Sequence, residues 1–182
     1  MPSLIDRQGR PQRVWGPRGI VIPWFIGVGA EAKIWKLYVR RPLTSAQREA
    51  GEKPYIQFPG GSNGLYNAQS ITRCKPIMLV EGVFDALAVR EEAGDLVVPV
   101  ATGTTGARRA HWIVQLARAP VVLASYDADE AGERAARYWL DALAPHAVRW
   151  RPYWDDPAAM LQAHGDVRTW VETGLQRISM GG

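Results

Sequence analysis

The sequence predicts an α/β fold: a mostly parallel sheet flanked by helices, preceded by a small basic β-rich lobe of α+β type. Three observations predict it. After Lys75, short apolar runs alternate with helical segments of about 10–15 residues, the pattern of βαβ units around a buried parallel sheet. Before Lys75, strand-like stretches are separated by turns rich in Gly and Pro. The charge divides at the same place, with twelve Lys and Arg against four Asp and Glu in residues 1–75, and ten against fourteen in residues 76–182. A polyanion that lies along one lobe and reaches carboxylates in the other suits this division.

Composition narrows the class. The chain has 182 residues, 47% hydrophobic and 22% charged, which is enough apolar surface for one medium domain with an accessory lobe. No uncharged apolar run approaches the roughly 18 residues that a membrane span needs, and the N-terminus lacks the order of a signal peptide. The single cysteine, Cys74, excludes an internal disulfide and a multi-cysteine zinc site. A soluble, cytoplasmic protein without zinc and without a membrane partner is expected.

Within residues 1–75, the first 18 set Arg7, Arg10, Arg13 and Arg18 among Pro and Gly and read as an irregular or mobile arm. "GIVIPWFI" is a short strand. "KIWKLYVRR" alternates, with Trp35, Leu37 and Val39 on one face and Lys36, Tyr38 and Arg40 on the other. Cations and an aromatic ring on one strand face can touch phosphate and base together, although an amphipathic strand with one wet face has the same pattern. "TSAQREAGEK" is a short helix or loop, and "PYIQFPGGSNGLYN" is a strand running into a Gly-rich turn.

In residues 76–182, "PIMLV", "LVVPV", "PVVLASY" and "AVRWRPYW" are the strand candidates. Helical segments follow them at "FDALAVREEAG", "ARRAHWIVQLAR", "EAGERAARYWLDALA" and "DDPAAMLQAH". In an open parallel sheet, ligands gather at the carboxyl ends of the strands, and the acids fall there. Glu81 follows the first run, Asp127 and Asp129 the third, and Asp155 and Asp156 the fourth. Two or three such carboxylates suffice for a hard divalent cation, which keeps several waters. Each acid also has a simpler reading: Asp129 or Glu130 as the N-cap of the helix that follows, Asp156 as an N-cap before Pro157, and Glu81 as a charge near a helix N-terminus. The loop "ATGTTGARR" could hold a phosphate with Arg108 and Arg109, or could be only a tight connection. His111, His146 and His164 have no ligand spacing. Of the eight tryptophans most should be core, while Trp35 and Trp150 lie beside basic residues and could stack on bases.

The motifs Glu81-Gly82-x-x-Asp85 and Asp127-x-Asp129-x-Ala131-Gly132, with "ATGTTG" between them and "DDPAAML" after them, resemble the Toprim domain in its bacterial DnaG-type primase version. The family pattern has a further acid after the Pro, where this chain has Ala158. "RGIVIPWF", "AKIWKLYVRRP" and "PYIQFPGGSNGLYN" are similar, more weakly, to the basic lobe upstream of that domain. The resemblance implies a Rossmann-like Toprim catalytic domain over 76–182 behind a basic lobe over 1–75. It implies a nucleotidyltransferase that makes short RNA or mixed primers on a single-stranded DNA template from NTPs by metal-dependent phosphoryl transfer. Asp127 and Asp129 would hold Mg²⁺ or Mn²⁺, with Glu81 a ligand or a proton acceptor, Asp156 an outer ligand and Asp85 a support behind them. Lys33, Lys36, Arg40 and Arg41, and secondarily Arg108 and Arg109, would hold nucleotide or template phosphates. A helicase or a separate zinc-binding module is an expected partner, since one cysteine leaves no zinc module here. The chain fits either a segment of a longer primase or a compact relative from a phage or mobile element. A Toprim nuclease with the same acids, and a non-catalytic nucleic-acid-binding module, are the alternatives.

Overall fold

The computed structural model describes residues 4–5, 8–12, 16–106 and 108–180, and they form two compact units, Met1–Asn63 and Gly64–Gly182. Arg7 and Arg13 of the basic arm lie outside the described residues.

The first unit is antiparallel. Within the segment read as an irregular arm, β1 (Leu4–Ile5) and β2 (Pro11–Gln12) form a minimal ladder. β3 (Ile20–Ile26), β4 (Lys33–Arg40) and β5 (Tyr55–Gln57) form a meander in that order. Between β4 and β5, α1 (Ser45–Glu49) starts at a capping box, in which Thr44 accepts from the Gln47 N–H and Gln47 reaches back to Thr44. Gly19 has no Cβ because one would collide with the carbonyl of Arg40 on the neighbouring strand.

The second unit holds the parallel sheet, with strand order β7-β6-β8-β9. Its strands are β6 (Ile77–Val80), β7 (Val98–Ala101), β8 (Val122–Ala124) and β9 (Ala147–Arg149). Its helices are α2 (Val83–Ala93), α3 (Ala110–Leu116), α4 (Glu130–Ala142), α5 (Pro157–Gln162) and α6 (Val167–Met180). Alternate residues of the central strands enter two separate cores. Ile77, Leu79, Val122 and Ala124 pack with Trp112 of α3 and Trp139 of α4. Met78, Val80 and Leu123 pack with Val89 of α2, Met160 of α5 and Trp170 of α6. Because both faces are covered, these strands read as continuous apolar runs rather than as alternation.

Tyr66 bridges to Ala101 at the edge of β7, and Leu65 and Ile71 are buried in the core that α3 and α4 cover, so residues 64–75 pack with the second unit. No helix among the described residues is long and apolar enough to cross a membrane.

Trp170 joins α6 to the segment after β9. It is wholly buried, donates from Nε1 to the Arg151 carbonyl at 3.0 Å, and accepts at its own carbonyl from Trp150 Nε1 at 3.1 Å. Trp170→Ala is expected to lower stability by about 3–5 kcal/mol, read as a fall in the urea midpoint; a loss under about 1 kcal/mol would show that this core relaxes around the void.

Candidate metal centre

The acids meet at the carboxyl edge of the parallel sheet, where β6, β8 and the segment after β9 end side by side. Glu81, one residue past β6, is half-buried, and its carboxyl is pushed up to about 7 by that burial and by the charges of Asp127 and Asp129. Asp127 is pushed up to about 6 by burial and then by Asp156 and Asp129. Asp85, in the first turn of α2, is pushed up to about 8 by burial and then by Asp156. Ionised carboxylates separated only by low-dielectric protein raise one another's pKa in this way. Among the described residues, no three acid, His or Cys side chains stand at metal-ligand spacing.

Local chemistry explains how each acid is held. Asp129 is the N-cap of α4 and its Oδ1 accepts from the Gly132 N–H at 2.7 Å. Asp156 is the N-cap of α5, ahead of Pro157, and its Oδ1 accepts from the Ala159 N–H at 2.6 Å. The capping reading therefore holds for both, and each cap uses one of the two carboxylate oxygens. Asp85 uses both: Oδ2 accepts from the Gly82 N–H at 3.0 Å and Oδ1 from the Ala158 N–H at 3.2 Å. It ties the end of β6 to the start of α5 and supports the cluster from behind.

The two glycines of the motifs have steric reasons. A Cβ on Gly82 would lie 2.5 Å from Asp85 Oδ2, so only glycine lets that carboxylate turn back. A Cβ on Gly132 would lie well inside contact distance of the Asp127 carbonyl oxygen, so only glycine lets α4 start this close to the end of β8.

Three supports are not evident from the motifs. Arg149 of β9 donates to the carbonyls of Ala124 at 2.9 Å, Tyr126 at 3.1 Å and Asp127 at 3.3 Å, and pairs with Glu133 of α4 at 2.7 Å. It clamps the segment that carries Asp127. Its one sequence signal is a charge inside an apolar strand candidate. The Ala128 N–H donates to the Asp155 carbonyl at 2.8 Å, joining the two acid-bearing loops. The Gly-Thr loop also serves Glu81: the Gly103 N–H donates to the Glu81 carbonyl at 2.8 Å, and the Thr105 backbone opposes the rise in its carboxyl's pKa.

The basic candidates are placed differently from the acids. Lys36 does not share an open face with Tyr38 and Arg40. It is 4% exposed, with Nζ 4.5 Å from the centre of the Trp24 ring and 4.4 Å from that of Tyr38, and it donates to Asn63 Oδ1 at 3.2 Å. Burial holds its pKa below the usual lysine value. Trp24, its partner across the ladder, is buried beneath it, which turns this face of β4 inward. Lys33 is exposed, Arg40 lies over the Tyr55 ring at 5.0 Å, and Arg41 pairs with Glu52 at 2.7 Å. Arg108 lies over the Tyr138 ring at 4.4 Å, and Arg109 is the exposed N-cap of α3. Trp35 stays 44% exposed, but Trp150 is buried against Trp170 and Gly174 and offers no face to a base.

Residues 78–160 match the family model described as Toprim-like. The fold matches the primase fragment of the bacteriophage T7 primase-helicase protein at 18% identity and a TM-score of 0.60, covering 82% of this chain and 60% of that one. It matches the RNA polymerase domain of Mycobacterium tuberculosis primase DnaG at 20% identity and 0.64, covering 93% and 59%. A DnaG catalytic core matches at 16% identity and 0.63, covering 84% and 52%. The chain thus spans about three fifths or less of these structures, and at such identities they establish the fold. No curated protein matches the sequence.

Gly132→Ala is expected to destabilise the protein by about 1–3 kcal/mol, although alanine is ordinarily favoured over glycine inside a helix by about 1 kcal/mol. A gain in the urea midpoint would refute the close approach to Asp127. The raised acids set a pH dependence. Glu81, Asp85 and Asp127 bind protons more tightly folded than unfolded, so their contribution to stability is complete below about pH 4 and is lost as pH rises through about 6 to 8. In EDTA, Asp127→Asn is expected to flatten the fall in Tm across that window; an unchanged slope would exclude the coupling.

Proposed function

Starting from a Toprim-like domain with the fold of primase catalytic cores, we propose that this chain is the core of a primase-type nucleotidyltransferase. It joins NTPs into short RNA or mixed primers on a single-stranded DNA template. The observation that carries this reading is the convergence of acids at the ends of β6 and β8, where Asp127 and Asp129 raise the pKa of Glu81 and Asp129 raises that of Asp127.

The donor set fits Mg²⁺ or Mn²⁺. It is all oxygen, it is mutually repulsive, and Asp129 and Asp156 each have an oxygen beyond the one used in capping. Mg²⁺ takes one or two carboxylates and keeps its waters, so a full protein cage is not needed. Asp127 and Asp129 are the proposed principal ligands, with Glu81 and Asp156 beside them. When bound, such ions neutralise phosphate charge and align the attacking and leaving oxygens.

The chain's own groups do the rest. With a pKa near neutrality, Glu81 is matched to accept a proton from an attacking 3′-hydroxyl. Asp85 and Arg149 keep the acid-bearing segments in place. Lys33, Arg40 and Arg41 of the basic lobe, with Arg108 and Arg109, are the proposed contacts to template and nucleotide phosphates. Lys36 is proposed to act indirectly, by tying β4 to the Gly-rich loop through Asn63. A helicase is a proposed partner, by likeness to the T7 primase-helicase.

The test is to incubate the protein with single-stranded template, labelled NTPs and Mg²⁺ or Mn²⁺, and to resolve the products on a gel. Extended products are expected, and Asp127→Asn should reduce them at least about 10³-fold with the fold retained. A shortened template would replace this reading with a phosphodiesterase, and undiminished synthesis by the variant would overturn the assignment of Asp127.

A further inference from the structure

A cavity of about 850 Å³ in the second unit lies between the segment after β9 and the last turns of α6. Ala128, the residue between Asp127 and Asp129, forms part of its wall together with Asp155, so it opens beside the acid-bearing loop without using Glu81, Asp127 or Asp129. Its other notable walls are Arg151, Tyr153, Trp154, Thr173 and Arg177.

Tyr153 is 65% exposed and Trp154 43% exposed. A single exposed aromatic residue is ordinary. Two consecutive ones lining an open trough with arginines are a stacking platform in search of a ring. The platform is built rather than incidental. Trp154 packs against Gly165, where a Cβ would come within 2.9 Å of the indole, so glycine is what lets the ring lie down there. Arg151 is fixed at both ends: its carbonyl accepts from Trp170 Nε1, and its guanidinium donates to the Ala128 carbonyl at 2.8 Å and meets Glu133 at 3.4 Å. Thr173 and Arg177 are four apart on α6, so they project from one face of that helix, toward the trough that both line.

We infer that this trough binds a segment of single-stranded nucleic acid. A base stacks on Tyr153 and Trp154, and backbone phosphates meet Arg151 and Arg177, so the strand passes Ala128 at the acid-bearing loop. The chemistry favours a strand over a free nucleotide. The trough is open rather than closed round one ligand, and its cations stand on two separate elements, so they can serve successive phosphates. Asp155 lies at the same wall as Ala128, which leaves Arg177, at the far side, as the stronger phosphate contact. Base stacking is sequence-tolerant, since every base has a π face.

This inference does not depend on polymerase activity, because binding is measured in EDTA. Anisotropy of a short fluorescein-labelled oligo(dT) is followed across a salt series for the full chain. The double variant Tyr153→Ala/Arg177→Ala should bind about tenfold or more weakly, with a salt slope smaller by about 0.7. Both side chains are exposed, so an unchanged Tm confirms that the fold is kept. Tyr153→Phe should retain most of the affinity, because it keeps the ring. An oligonucleotide carrying 5-iodouracil should crosslink to Tyr153 or Trp154 on irradiation, and a parallel oligo(rU) series shows whether DNA or RNA is preferred in the trough. Unchanged affinity and slope in the double variant, crosslinks confined to residues 16–63, or equal competition by a free NTP would each overturn the inference. Primer synthesis by Asp127→Asn tests the acids, and EDTA binding by Tyr153→Ala/Arg177→Ala tests the trough, so the two proposals fail separately.

Discussion

Like charges crowd the carboxyl edge of one small parallel sheet, and the surrounding structure is organised around holding them there. Burial and neighbouring charges raise the proton affinity of three of them: Glu81 beside Asp127 and Asp129, Asp127 beside Asp156 and Asp129, and Asp85 beside Asp156. Left to themselves such groups would move apart or stay protonated. They are kept by backbone N–H groups: two on Asp85 and one each on Asp129 and Asp156. Arg149 provides the compensating charge at one remove, on the carbonyls that precede and include that of Asp127. The result is a cluster of acids held at one sheet edge by backbone N–H groups.

Capping occupies only part of Asp129 and Asp156. An N-cap carboxylate accepts one helix N–H through one oxygen, and the other oxygen remains for another partner. The helix start then fixes the direction in which that second oxygen faces. The short side chains of Asp129 and Asp156 make this possible, because a longer acid could not reach back to its own helix and remain so closely placed. The glycines serve the same end: each removes a Cβ that would separate an acid-bearing segment from the element bracing it.

The basic lobe follows a different logic. Its antiparallel sheet carries exposed apolar side chains at Phe25, Ile34 and Trp35, while a lysine is buried over Trp24 and Tyr38. A cation between two aromatic faces is stabilised by their quadrupoles and by its hydrogen bond to Asn63, which offsets part of the cost of desolvation. Most of the remaining cations of that lobe and of the Gly-Thr loop that were read as phosphate contacts already have partners in rings or acids. Phosphate binding there would exchange existing partners rather than fill empty space.

The α/β class, the order of elements from β6 to α5 and the placing of Glu81, Asp127 and Asp129 just after strands were legible in the sequence. The reason is that burial on both faces writes continuous apolar runs into parallel strands, and strand ends mark where polar residues resume. The roles of Asp129 and Asp156 as caps were legible too, since the signal is local. Lys36 was not legible, because strand parity states which residues share a face but not which face meets the core; the burial of Trp24 across the ladder decided that. Nor was Arg149, whose value lies in three carbonyls more than twenty residues away. The charge shift records surface composition, whereas the packing of Leu65, Tyr66 and Ile71 with the second unit rests on contacts far along the chain. The sequence by itself determined which acids stand at strand ends. Only the tertiary structure decided how near they come, what braces them and which cations are free to face solvent, because those depend on contacts between segments far apart in the chain.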